Sequence, residues 1–93
     1  MDKEMAHRIW KYDIPLTDEF SLPLPEGAQF LAVQIQHGSP RAWFKVDPEQ
    51  APVPRHFRLV GTGNPCEQEG LIYQGTFQLG GGAAVFHLFE KEV

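Results

Sequence analysis

Apolar and polar residues alternate at period two along most of this chain, the pattern of strands that bury one face. In Arg8-Ile9-Trp10-Lys11-Tyr12-Asp13-Ile14, the residues Trp10, Tyr12 and Ile14 share a face opposite Lys11 and Asp13, which predicts a first strand. Phe20-Ser21-Leu22-Pro23-Leu24 alternates again, but Pro23 has no N–H to give a ladder, so this strand belongs at a sheet edge. Gln29 to His37 follows a Pro25-Glu26-Gly27 turn, with Leu31, Val33 and Ile35 pointing one way and Ala32, Gln34 and Gln36 the other. Gly38-Ser39-Pro40 closes that strand. Arg41 to Val46 returns as its hairpin partner, with Ala42, Phe44 and Val46 on one face and Arg41, Trp43 and Lys45 on the other.

Asp47 to Pro54 reads as a Pro-rich loop, and His56 to Val60 as a strand with Phe57 and Leu59 inward and His56 and Arg58 opposite. Gly61-Thr62-Gly63-Asn64-Pro65 breaks it, and Glu67-Gln68-Glu69-Gly70 extends a surface loop. Leu71 to Leu79 and Ala83 to Glu90 form a hairpin around Gly80-Gly81-Gly82, whose glycines take positive φ cheaply. About seven short strands with regular turns predict an all-β, mainly antiparallel fold, a compact β-sandwich or small barrel. The whole chain is expected to be one domain, with a core spanning roughly residues 8 to 90.

Composition supports this reading. Nine glycines and eight prolines argue against long helices, and 42% hydrophobic with 22% charged residues describes a folded chain rather than a disordered one. The net charge of −4 argues against tight binding to long nucleic acid, whose affinity comes mainly from neutralised phosphates. Residues 41 to 58 run against that balance, with Arg41, Lys45, Arg55 and Arg58 against Asp47 and Glu49, a basic zone suited to a small anion. Cys66 is the only cysteine, which excludes an intramolecular disulfide and fits a reducing cytoplasm. Met1-Asp2-Lys3-Glu4 leads into Arg8 and Lys11 without an apolar run, so neither a signal peptide nor a membrane span is expected.

Candidate chemistry is sparse. His7, His37, His56 and His87 are scattered with no two at ligand spacing, and no metal or cofactor is expected. Cys66 beside Pro65 reads as an inert thiol, and Ser21 and Ser39 have neither a nucleophile elbow nor an adjoining histidine in sequence. The acidic residues sit mostly in turns, without spacing for an acid–base couple. These absences predict a non-enzyme. Gly61-Thr62-Gly63 lacks the rest of a P-loop, although a backbone nest there could donate N–H groups to a phosphate. Trp43 is more suggestive: if its face lies outside the core, an indole is displayed with Arg41 and Lys45, able to stack on a base while neutralising phosphate. Gln34 and Gln36 on the neighbouring strand are candidate readers of base edges. Trp10 and Trp43 also suit a core or a subunit interface, since large aromatics usually serve packing.

Ile9-Trp10-Lys11-Tyr12, Leu24-Pro25-Glu26-Gly27-Ala28 and Ala32-Val33-Gln34 resemble, in that order, a family of small, mainly phage-encoded proteins of unknown function. Trp43-Phe44-Lys45-Val46-Asp47-Pro48-Glu49, Phe57-Arg58-Leu59-Val60-Gly61-Thr62-Gly63, Gly75-Thr76-Phe77-Gln78 and Val85-Phe86-His87-Leu88-Phe89-Glu90 extend the resemblance. That family is similar to the phage anti-CBASS sponges, which bind cyclic dinucleotides without cleaving them. The resemblance implies a sponge for a cyclic dinucleotide or another nucleotide-derived second messenger, a homo-oligomer such as a tetramer, and work in the cytoplasm of the infected bacterium. Trp10, Tyr12 and Trp43 are then the expected stackers, and Arg41, Lys45, His56 and Arg58 the phosphate or base partners. Gln34, Gln36, Thr62 and His87, with Gly61 and Gly63 of the turn, complete the expected site. The alternatives are a module that inhibits a host protein through a sheet edge or aromatic patch, and a minor virion component.

Overall fold

A computed structural model describes residues 7–66 and 69–92. Met1 to Glu4, and Glu67 and Gln68 of the expected loop, lie outside the described residues. Seven antiparallel strands follow one another: β1 (Arg8–Asp13), β2 (Glu19–Pro25), β3 (Gln29–Gln36), β4 (Ser39–Val46), β5 (Pro52–Gly61), β6 (Leu71–Leu79) and β7 (Ala84–Lys91). They form a three-stranded sheet in the order β1-β4-β3 and a four-stranded sheet in the order β2-β5-β7-β6. The fold is all-β, as the alternation predicts, and consistent with a small sandwich. Among the described residues, no helix is long and apolar enough to cross a membrane.

The core lies between the sheets. Phe44, Phe57, Leu24, Leu88 and Val46 are its largest fully buried side chains. Phe44 of β4 meets Tyr12 edge-on at 5.6 Å, Phe30 at 5.6 Å and Phe57 of the other sheet at 6.3 Å, so one ring ties the two sheets together. Phe57 in turn stacks on Phe20 at 5.4 Å. A charged pair borders this core: the Arg55 guanidinium donates to both Glu90 carboxylate oxygens, at 2.6 and 2.9 Å, and to the Ala28 carbonyl at 2.5 Å. Its hydrogen bonding to Glu90 raises the Arg55 pKa further above the ordinary guanidinium value.

Three local expectations are corrected. Leu31 does not share the inward face of Val33 and Ile35; it is 46% exposed. Phe30 takes the inward slot opposite Phe44, and because Phe30 and Val33 are an odd number of positions apart, both can face inward only if a bulge inserts the intervening Leu31. Ser39-Pro40 is not a turn but the start of β4; the reversal is made by His37 (φ 53°) and Gly38 (φ 81°), two positive-φ residues that match the twist of a tight hairpin. Pro52 to Pro54 is not loop but the start of β5, with Pro52 opposite Pro25 and Pro54 opposite Pro23. Prolines facing one another fit positions where neither strand's N–H would point at its partner, so no ladder bond is lost. The expected edge placement of the Pro23 strand is what the topology has, and the Gly80 to Gly82 reversal carries positive φ at all three glycines.

β6 carries a second bulge, between Tyr73 and Gly75, and there it passes close to β3. A Cβ on Gly75 would sit 2.8 Å from Val33 Cγ1, and Val33 is a stiff, buried, β-branched residue that cannot swing aside. Gly75→Ala is therefore expected to cost about 1–3 kcal/mol by overpacking. Urea unfolding measures it, and an unchanged midpoint would show that β3 and β6 separate freely at this point.

Candidate functional site

The register of β1, β4 and β3 arranges the outward side chains of the smaller sheet as a grid. Trp43 lies between Lys11 on β1 and Ala32 on β3, Lys45 between Ile9 and Gln29, and Arg41 between Asp13 and Gln34. The strict burial alternation of β4, with Ala42, Phe44 and Val46 buried and Arg41, Trp43 and Lys45 partly exposed, fixes that face as the outside. The condition attached to Trp43 is thus met. Opposite Trp43 on β3 stand the small Ala32 and, beside it at the bulge, the exposed Leu31.

The face is cationic although the chain is acidic: Lys11, Arg41 and Lys45 stand on it with one acid, Asp13. Lys11 Nζ donates to Gln36 Oε1 at 2.7 Å, reaching across β4. Arg41 Nε lies 3.2 Å from Asp13 Oδ1, an ion-pair distance, yet this buried Nε makes no aligned hydrogen bond. At that distance and angle Asp13 balances the charge of Arg41 as an ion pair. Gln29, Gln34 and Gln36 surround the cations with amide donors and acceptors.

The remaining expected site residues lie elsewhere. Tyr12 and Trp10 occupy the other side of β1, where Tyr12 packs on Phe44 and its burial raises the hydroxyl pKa. Trp10 is 40% exposed at the sheet edge. His56, Arg58, Thr62 and His87 belong to the outer face of the larger sheet or its end, on the far side of the sandwich, and sandwiched sheets are about 10 Å apart. The basic stretch from Arg41 to Arg58 therefore forms no single pocket: strand alternation turns Arg41 and Lys45 out on one sheet, Arg58 out on the other, and Arg55 inward onto Glu90.

The groups on the larger sheet are largely committed to one another. His87 has both ring nitrogens engaged, Nε2 with Thr62 Oγ1 at 2.8 Å and Nδ1 with Thr76 Oγ1 at 2.9 Å, and Tyr73 Oη joins Thr76 at 2.6 Å. In the Gly61-Thr62-Gly63 turn the Thr62 N–H donates to the Val85 carbonyl at 3.0 Å, and just beyond it the Asn64 N–H donates to the Gly61 carbonyl at 3.0 Å. An open depression of about 230 Å³ lies beside Thr62, Cys66 and His87. Arg58 borders another with Asp18, and Glu19, opposite Arg58, accepts a hydrogen bond from Lys91 that holds its carboxyl below the usual range.

One pairing was invisible in sequence spacing. Ser21 does have a neighbouring histidine: Ser21 Oγ is 2.7 Å from His56 Nδ1, because the two are directly opposite in the β2–β5 register. Only the register reveals such a pair, and it reads as a cross-strand hydrogen bond on an exposed face. Among the described residues, no three His, Cys, Asp or Glu side chains gather to hold a metal.

Residues 5–93 match a family described as a domain of unknown function, DUF7352, and the chain belongs to that family. No curated protein and no solved structure matches the chain.

Proposed function

We propose that this DUF7352 member binds and sequesters a small nucleotide-derived signal without cleaving it, using the outer face of the β1-β4-β3 sheet. The observation that carries the reading is Trp43 set in the middle of that face, between a lysine and an alanine, with Arg41 and Lys45 two positions away on either side. A partly exposed indole on an outer sheet face stacks on a base of any identity, and cations spaced along the same strand neutralise phosphate. In the finer form suggested by the resemblance, the ligand is a cyclic dinucleotide and the setting is the cytoplasm of a phage-infected bacterium.

Calorimetric titration with cyclic dinucleotides, cyclic trinucleotides and ADP-ribose-derived signals tests this, followed by heating the complex and chromatography of the released ligand. Intact ligand is expected on release. Trp43→Ala is expected to weaken binding by about 1–3 kcal/mol, the usual worth of one base–aromatic stack, or roughly 5- to 150-fold. Arg58→Ala, on the opposite face, is expected to leave affinity unchanged and serves as the control. Unaltered affinity in Trp43→Ala overturns the assigned face; an altered ligand overturns sequestration in favour of an enzyme. Silence across the whole panel transfers the face to the host-protein reading.

A further inference from the structure

Charge is graded along the strands on the outer face of the β1-β4-β3 sheet. One row holds Lys45 between Ile9 and Gln29, the next Trp43 between Lys11 and Ala32, and the third Arg41 between Asp13 and Gln34. The lysines thus stand at one end and in the middle, and the acid stands at the other end, one row beyond the indole. A carboxylate there works against holding phosphate, since like charges repel, so its use lies with another part of the ligand. Asp13 is 84% exposed and open to a ligand, while Arg41 Nε, 3.2 Å from Oδ1, balances its charge and anchors it beside the Trp43 row.

We propose that Asp13 is the base-selecting residue of this face and that it selects guanine; the assignment rests on the nucleotide reading above. In a purine nucleotide the sugar and phosphate leave from one side of the ring system, and the Watson–Crick edge lies on the opposite side. With phosphate toward Lys45 and Lys11 and the base on Trp43, that edge points to the Asp13 row, two residues or roughly 6.6 Å further along the strands.

An ionised carboxylate only accepts hydrogen bonds, and its two oxygens offer about four lone-pair sites, so the contact with Arg41 leaves both able to accept. Guanine presents two adjacent donors on that edge, N1–H and the N2 amino group, and a carboxylate takes both. Adenine presents a single donor beside the N1 lone pair, which sets acceptor against acceptor. Gln34, on the other flank of Arg41, carries a donor and an acceptor and suits either purine, so the discrimination falls to Asp13.

Calorimetric titration with cyclic di-GMP, cyclic di-AMP and cyclic di-IMP tests this. The three share backbone and charge, and hypoxanthine keeps N1–H but lacks the N2 amino group. The wild type is expected to bind cyclic di-GMP about 10-fold or more tighter than cyclic di-AMP, within the range of a bidentate base contact, with cyclic di-IMP between them. Asp13→Asn keeps the shape and supplies an amide that both donates and accepts, so it is expected to bring the guanine and adenine affinities together. The lost charge acts on all three ligands alike and cancels in the ratio.

Equal affinities or an adenine preference in the wild type overturn the proposal, as does a guanine preference that persists in Asp13→Asn. Cyclic di-IMP binding as tightly as cyclic di-GMP also overturns it, on the wild type alone and whatever the variant's stability. A wild type that binds other nucleotide signals but not cyclic di-GMP removes the guanine assignment and leaves sequestration standing. Silence toward every nucleotide removes both.

Discussion

Truncation of Phe44 to alanine is expected to destabilise this protein by about 3–5 kcal/mol, the upper range for a buried aromatic. Phe44 is fully buried, and its ring meets Tyr12 and Phe30 within its own sheet and Phe57 across the interior. The neighbours are themselves rings held on strands, which cannot collapse into the void, so the cavity term adds to the lost transfer energy rather than relaxing away. A domain of this size has about 5–15 kcal/mol in total, and each kcal/mol lowers its midpoint by roughly 4–8 °C, so the variant is expected to melt about 12–40 °C below the wild type. Thermal and urea unfolding measure the loss, with Phe44→Leu as a volume-sparing comparison expected to lose less. A cost under about 1 kcal/mol would place Phe44 outside the set of core positions whose truncation creates a cavity.

The second large effect is expected at the charged pair beside that ring. Glu90→Ala removes the carboxylate that accepts two Arg55 hydrogen bonds and leaves the guanidinium with the Ala28 carbonyl at 2.5 Å and the Phe44 ring, 5.9 Å from its centroid. The two side chains are 22% and 15% exposed, partly but not wholly desolvated. Breaking a fully buried pair costs about 3–5 kcal/mol, and the residual solvent contact lowers the expectation here to about 2–3 kcal/mol. The asymmetry is the stronger test. Replacing both partners by apolar residues, Arg55→Met with Glu90→Leu, removes the stranded charge and is expected to recover most of the loss. A double variant no more stable than Glu90→Ala would show that the pair is stabilising in its own right and not merely costly to break.

Much of the larger pattern was legible in the chain. Strand alternation predicts the inward Phe44 and Phe57 and the outward Trp43, Arg41 and Lys45, because side-chain direction in a strand depends only on parity and parity is written in the sequence. It also predicts the β3–β4 and β6–β7 hairpins, since short turns leave adjacent strands no other partner. Pro23 declares its own edge. Leu31 was the point where parity misled, because a bulge resets it, and what selects the bulge is the fit of Phe30 to Phe44 on another strand.

The candidate site divides along the same line. That Trp43, Arg41 and Lys45 share a face follows from their spacing on one strand. That Lys11, Ala32 and Gln34 complete that face, whereas Arg58, Thr62 and His87 lie across the sandwich, depends on which strands pair and in what register. Ser21 with His56, and Arg55 with Glu90, are each 35 positions apart and were joined by the same means. The sequence by itself determined the strands, their faces and the residues that one strand can display. Only the tertiary structure decided which faces combine into one surface, because non-local strand pairing is set by how the whole core packs and not by any segment alone.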